Sequence, residues 1–193
     1  MNKELFDELT KKYASSIKEL IDSNVVFTNI DTTIKYTFSW NDNITITASV
    51  DRKTNVMSIN IAFVDRAYKD NRVFEIEYFL LHEMRHIYQH IQIAKYYRGE
   101  HSVDSLYIKR WIKEGKNYIK SIDKNGKLNI DYFKQDSELD AYAFSYAAMK
   151  YKYNSKYDSE LYVPPIYKEE LKEEFEMIVN DFMNFFTSSL NNS

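Results

Sequence analysis

The sequence predicts an α+β domain, and three observations support this fold class. Near the N-terminus, apolar residues recur at helical spacing with charged residues between them. From Val25 to Asp65 the pattern has a period of two and is rich in β-branched and aromatic residues, which is typical of strands. After Asp70 the helical spacing returns and continues through the rest of the chain. We therefore expect an N-terminal helix, an antiparallel sheet and then several helices.

The first two predicted elements lie within residues 3–65. The apolar positions of residues 3–22 follow the face of one amphipathic helix. The segments TTIKYTFSW, NITITASV and NVMSINIAFV are each typical of a strand, and the breaks NDN and DRKTN are short enough for turns. These segments predict an antiparallel meander of three to four strands.

Further amphipathic helices are predicted after the sheet. They run from Asp70 or Asn71 to about Gly99, from Ser102 to about Ile122, from Asp136 or Ser137 through SELDAYAFSYAAMKYKY, and over residues 166–190. The stretch DKNGK between the second and third of these is a predicted turn. We expect one domain over residues 1–193, in which residues 166–190 form a C-terminal capping helix.

Composition excludes several classes of function. The net charge of -3 gives no basic surface of the kind that nucleic acids or anionic membranes require, so neither is an expected partner. The sequence has no secretory signal and no apolar run long enough to span a bilayer, so a cytoplasmic location is expected. With no cysteine, thiolate metal sites and a cysteine nucleophile are excluded. Any metal ligands must be His, Asp or Glu.

The stretch LLHEMRHIYQH, residues 80–90, carries the strongest functional motif in the chain. His82 and His86 lie four residues apart, so on a helix both imidazoles project from one face and can bind one metal ion. Glu83 lies about a quarter-turn aside, where its carboxylate can reach a water molecule at the metal without being a ligand. The alternative is that both histidines are hydrogen-bonded in the core of an ordinary helix. The spacing together with Glu83 favours a zinc site.

A catalytic zinc site of this kind has three protein ligands and one open position, so a third ligand is needed. Metzincins are excluded, because Gln89 and Gln92 stand where that pattern has Gly and His. The downstream stretch SELDAYAFSYAAM offers acidic residues on a second helix. With this stretch, the sequence resembles the HExxH zinc peptidases of the gluzincin type, particularly the small intracellular ImmA/IrrE-like group. In that group HExxH is followed by a helix of the pattern ExxAD, ExxxD or ExDAxxFA.

The residues that match this helix pattern are Glu138, Asp140, Ala141 and Phe144. The resemblance implies a zincin-like fold that binds one zinc ion through His82, His86 and Glu138, with Glu83 as the general base. A whole predicted helix separates the two parts of this site.

Three further residues enter as candidates beside the implied ligands. Asp140 is the reserve ligand. Tyr142 stands where the family usually has an acid that supports a ligand histidine, so this support could also come from Asp140. His90, one turn beyond His86, either faces the site as a proton donor or packs on the helix surface. A phenol near the metal is expected from the 17 tyrosines, but the sequence does not indicate which.

The expected function is a zinc-dependent endopeptidase whose substrate is a protein or peptide. An extended peptide could pair with a sheet edge, for which NVMSINIAF is the candidate strand. One alternative is a regulatory or binding protein that uses a zincin scaffold without hydrolysis. Another is a structural metal site closed by a fourth ligand such as His90 or Asp140. The oligomeric state is not predicted.

Overall fold

The computed structural model describes residues 2–190, in which eight α-helices accompany one three-stranded mixed sheet, so the predicted α+β class is confirmed. The helices are α1 (Lys3–Thr28), α2 (Ile61–Lys69), α3 (Val73–Tyr97), α4 (Ser105–Lys116), α5 (Ile130–Phe133), α6 (Asp136–Tyr153), α7 (Pro165–Glu169) and α8 (Lys172–Leu190). The strands are β1 (Lys35–Ser39), β2 (Ala48–Val50) and β3 (Val56–Asn60). None of the helices within residues 2–190 combines the length and apolar character that crossing a bilayer requires.

The chain divides into two compact units, and the boundary between them falls after Ile87, inside α3. The first unit contains α1, the sheet, α2 and the first part of α3. The second contains the rest of α3 and the helices α4 to α8. The single domain predicted for residues 1–193 stays a prediction.

Helix α1 is longer than the sequence predicted. Asn2 caps it by accepting a hydrogen bond from the Glu4 amide at 3.0 Å. The helix continues past residue 22 because Asn24, which is buried, donates hydrogen bonds to the Leu20 carbonyl group and to the Glu77 carboxylate, both at 2.7 Å. Residues 25–28 are therefore helical although their β-branched and aromatic side chains favour a strand, which shows tertiary packing overriding local propensity.

The predicted antiparallel meander is wrong. The strand order is β1-β3-β2, with β1 parallel to β3 and β2 antiparallel to β3. The five residues between β2 and β3 allow a hairpin, whereas the eight residues 40–47 between β1 and β2 are long enough to let β3 pair between them. Because β3 has a neighbour on both sides, it is not the sheet edge that was predicted for peptide binding.

The last predicted strand segment contains a helix start. Asn60 ends β3 and caps α2, since its side-chain oxygen accepts from the Ala62 amide at 3.2 Å. The same oxygen accepts from the Asn41 amide at 3.0 Å. Its side-chain nitrogen donates to the carbonyl groups of Asn41 at 3.0 Å and Ile46 at 2.8 Å. One buried amide thus closes the long β1–β2 connection onto the end of the sheet.

Asn60→Ala is expected to lower the free energy of unfolding by about 2–4 kcal/mol, because it removes a helix cap and leaves buried backbone groups without partners. Asn2→Ala is the matched control, since exposed Asn2 makes a single capping bond and its loss should cost about 1 kcal/mol or less. Urea unfolding followed by circular dichroism measures both. Equal effects of the two substitutions would contradict the role given to Asn60.

In the second unit, the most extensive contact between two helices is that of α6 with α8. Phe144 of α6 packs edge-on against Phe182 and Phe186 of α8, with ring centroids 5.3 and 5.9 Å apart. Residues 166–190, predicted as one capping helix, contain most of α7 and all of α8. The predicted helix 102–122 is shorter, because Asp104 caps α4 through the Leu106 amide at 2.7 Å and the helix ends at Lys116.

The predicted DKNGK turn is confirmed. The Gly126 amide donates to the Asp123 carbonyl group at 3.1 Å, and the Asp123 amide donates to that of Lys127 at 2.8 Å. Gly126 has a φ of 77°, a left-handed conformation that glycine adopts without strain. A single β-bridge joins Ile122 to Leu128 across the turn. This turn lies in the connection that leads from α4 to α6.

Candidate metal centre

The histidines of the HExxH motif lie on a buried stretch of α3. The apolar residues around them are buried, so packing holds the helix on both sides of the motif; these residues are Leu80, Leu81, Met84 and Ile87. His82 is buried and His86 is partly exposed. Their Nε2 atoms are 3.0 Å apart and their rings are nearly perpendicular, with centroids at 4.7 Å. Two imidazole nitrogens therefore meet at one point, as the sequence predicted.

Glu138 joins this pair. One ligand atom from each of His82, His86 and Glu138 lies within 4.8 Å of the other two. In a tetrahedral zinc site with bonds of about 2.1 Å, ligand atoms are about 3.4 Å apart. The two nitrogens are close to this spacing, and the carboxylate oxygen lies within 4.8 Å of both. Two nitrogens and one carboxylate oxygen are also ligands that zinc accepts, so the residues fit that ion.

Glu83 follows His82 directly and is 7% exposed. Successive helical residues point about 100° apart, so Glu83 does not share the face of the two histidines. It is not a member of the three-residue group formed by His82, His86 and Glu138. Glu83 therefore lies outside the ligand set, and its role as the general base stays a prediction.

The first turn of α6, which carries Glu138, is held by side chains from other elements. Glu114 of α4 caps the helix, because its carboxylate accepts from the amides of Asp136 and Ser137, the latter at 3.0 Å. Burial raises the pKa of the Glu114 carboxyl group, and the hydrogen bonds from Ser137 and Asp136 oppose that rise. Gln89, 2% exposed, donates to the Ser137 carbonyl group at 2.9 Å. The backbone that positions Glu138 is therefore anchored at both its amide and carbonyl groups.

Two tyrosines that the sequence did not single out lie at Glu138. The Tyr118 hydroxyl donates to Glu138 Oε1 at 3.0 Å, and Tyr132 lies close enough to Glu138 to be affected by its charge. Burial raises the pKa of Tyr132 well above its ordinary value, and the neighbouring Glu138 charge raises it further. Among 17 tyrosines, no local pattern marks these two, because their partner is 20 and 6 residues away and the contact depends on tertiary structure.

The remaining candidates occupy different surroundings. The Asp140 carboxylate accepts from Gln89 at 2.7 Å and is not part of the three-residue group, so its role as a reserve ligand gains no support. Gln89 itself is buried. Tyr142 is buried among aromatic rings, and its ring centroid lies 5.8 Å from that of Tyr167. His90 is partly exposed on α3, and its predicted role is not decided.

Fold and site together define an α+β protein with a candidate metal centre of two histidines and one glutamate. No family model, curated protein or solved structure matches the chain. The residues of the centre thus carry the functional argument.

Proposed function

We propose that this protein is a zinc-dependent peptidase of the gluzincin type, similar to the ImmA/IrrE-like group. The observation that carries the proposal is the convergence of His82, His86 and Glu138, with Glu83 placed directly after the first histidine. The proposed substrate is a protein or peptide. The two histidines come from one helix and the glutamate from another, which is the order in which the gluzincin pattern supplies its ligands.

The chain's own residues have distinct tasks in this reaction. Zinc bound at the centre would polarise a carbonyl group and lower the pKa of water. Glu83 takes the proton of the water molecule whose oxygen forms the new bond to the carbonyl carbon. As the carbon–nitrogen bond breaks, Glu83 returns that proton to the leaving amine. His82, His86 and Glu138 hold the ion and do not exchange protons.

The number of ligands favours a catalytic site over a structural one. A closed structural zinc site has four protein ligands, whereas a catalytic site has three and one open position. The group found within residues 2–190 contains three residues, and neither Asp140 nor His90 belongs to it. This observation favours hydrolysis over the structural alternative.

Metal removal tests the proposal. Protein purified without added zinc is expected to contain about one zinc ion per chain by mass spectrometry and to cleave members of a denatured-protein or peptide library. Dialysis against a chelator should abolish both zinc content and cleavage, and added zinc should restore both. The chelated protein incubated with magnesium is the control, because magnesium prefers all-oxygen sites.

Each outcome of this experiment has a different consequence for the proposed function. Absence of zinc even after zinc addition would overturn the metal centre. Cleavage that persists after zinc has been removed would overturn the zinc peptidase. Zinc binding without cleavage of any library member, together with a co-purifying protein, would favour the regulatory alternative on the same scaffold.

A further inference from the structure

The Glu138 carboxylate lies in an unusual environment for a charged group. Glu138 is 0% exposed, and burying a carboxylate is costly unless donors or a cation replace the lost water. The Tyr118 hydroxyl supplies part of that replacement, at 3.0 Å from Glu138 Oε1. The carboxylate therefore retains a hydrogen-bond donor whether or not a cation is bound.

The position of Tyr118 is built into the fold. The Gln135 side chain bonds to both backbone polar groups of the neighbouring residue, Ile119. Its side-chain oxygen accepts from the Ile119 amide at 3.0 Å. The Gln135 side-chain nitrogen donates to the Ile119 carbonyl group at 3.1 Å. Gln135 is buried and immediately precedes α6, so this pair of bonds fixes residues 118–119 against the start of that helix.

The aromatic rings add a second constraint. The rings of Tyr118 and Tyr132 meet edge to face, with centroids 6.1 Å apart and planes at 87°. Tyr132 in turn packs against Phe133 at 5.0 Å. Since such pairs restrict ring rotation, the Tyr118 hydroxyl is directed at Glu138 by packing as well as by backbone pairing.

What Tyr118 adds is control of the carboxylate itself. Glu114 and Gln89 already fix the backbone of the first turn of α6. They leave the last side-chain torsion of Glu138 unset, and this torsion has a broad distribution in carboxylates. A hydrogen bond to one carboxylate oxygen restricts that rotation, so the other oxygen meets a metal ion at a defined angle.

We propose that Tyr118 is a positioning residue for the Glu138 carboxylate and acts through it to increase the zinc affinity of the centre. This inference rests on the proposed function, because it takes Glu138 to be a zinc ligand. Hydrogen-bond partners of metal ligands typically contribute 10- to 100-fold to metal affinity.

Tyr118→Phe tests this role, because it removes only the hydroxyl group of a residue that is 39% exposed and keeps the ring that packs on Tyr132. Zinc affinity, measured by competition with a chelator of known affinity, should fall by about 10- to 100-fold. At saturating Co²⁺, the visible absorption spectrum of the variant should differ from that of wild type, since the carboxylate orientation has changed. Tyr107→Phe is the matched control, because it removes an exposed phenol of α4 and should leave both measurements unchanged.

The outcomes separate this inference from the proposed function. Zinc affinity and cobalt spectrum equal to wild type in Tyr118→Phe would overturn the positioning role and leave the zinc peptidase intact. A wild-type protein that binds neither zinc nor cobalt would overturn both. Thermal unfolding of the metal-free proteins is measured alongside and should give a slightly lower midpoint for Tyr118→Phe, because the buried Glu138 carboxylate loses one hydrogen-bond donor. A lower midpoint combined with a cobalt spectrum equal to that of wild type would assign Tyr118 a purely structural role and overturn the inference.

Discussion

Glu138→Gln is expected to lose bound zinc, whereas Asp140→Asn is expected to retain it. Both substitutions keep the side-chain shape and remove one negative charge from α6. Glu138 lies in the three-residue group, and a neutral amide oxygen is a poor replacement for a carboxylate ligand of zinc. The Asp140 carboxylate is engaged by Gln89, and an asparagine oxygen can accept the same hydrogen bond.

Zinc content by mass spectrometry measures this difference. Occupancy should fall from about one ion per chain to below about one tenth in Glu138→Gln and remain near one in Asp140→Asn. Circular dichroism spectra of both variants show whether the fold is kept. We expect it to be, because the amide oxygen introduced by Glu138→Gln can still accept the hydrogen bond from Tyr118. Zinc that is lost from Asp140→Asn but kept in Glu138→Gln would make Asp140 the third ligand instead.

The histidine part of the centre could be predicted from the sequence because it is local. His82 and His86 are one turn apart on a single helix, and helical periodicity alone places both rings on one face. In the structure their Nε2 atoms are 3.0 Å apart, which agrees with this placement. Glu138 could be predicted only through the resemblance to gluzincins, because 51 intervening residues carry no periodic relation to the histidines.

The supports of Glu138 could not be predicted. Tyr118, Gln135 and Glu114 all lie between His86 and Glu138 in sequence, and each acts through a contact that is distant in sequence. In the sequence, a buried glutamine that pairs with the backbone of residue 119 looks the same as an exposed glutamine. Only the tertiary arrangement distinguishes the two.

Residues 87–137, which separate the two parts of the motif, contain helix α4 and the residues that support Glu138. Helix α4 provides the carboxylate that caps α6, and the residues that follow it provide the phenol that reaches Glu138. The segment between His86 and Glu138 thus supplies groups that hold Glu138, the proposed third ligand.

Errors in the predicted fold have a common physical cause. Strand pairing is decided by which strand fits beside which, and the alternating pattern of residues 25–65 does not contain that information. The side chains of residues 25–28 favour a strand, yet the buried bond from Asn24 to Glu77 keeps them in α1. In both places long-range contacts outweighed a correct local preference.

Glu83→Gln is expected to bind zinc like wild type and to cleave peptides about 100- to 10,000-fold more slowly, which is the usual contribution of a general base. The amide has nearly the same shape as the carboxylate, so the buried position of Glu83 can accommodate it. It cannot accept a proton at neutral pH, however, and the proton of the attacking water has no acceptor. Zinc binding depends on His82, His86 and Glu138, none of which changes.

Initial rates on the best substrate from the peptide library, with zinc content measured on the same samples, test this separation of binding from catalysis. Glu75→Gln is the matched control, since it removes another partly buried carboxylate from α3, outside the three-residue group. It should cleave at the wild-type rate. Identical product profiles and rates for wild type and Glu83→Gln would mean that Glu83 is not the base and that the observed cleavage belongs to a contaminating protease. Loss of zinc in Glu83→Gln would instead place Glu83 among the groups that hold the ion, and the proton acceptor would have to be a different residue.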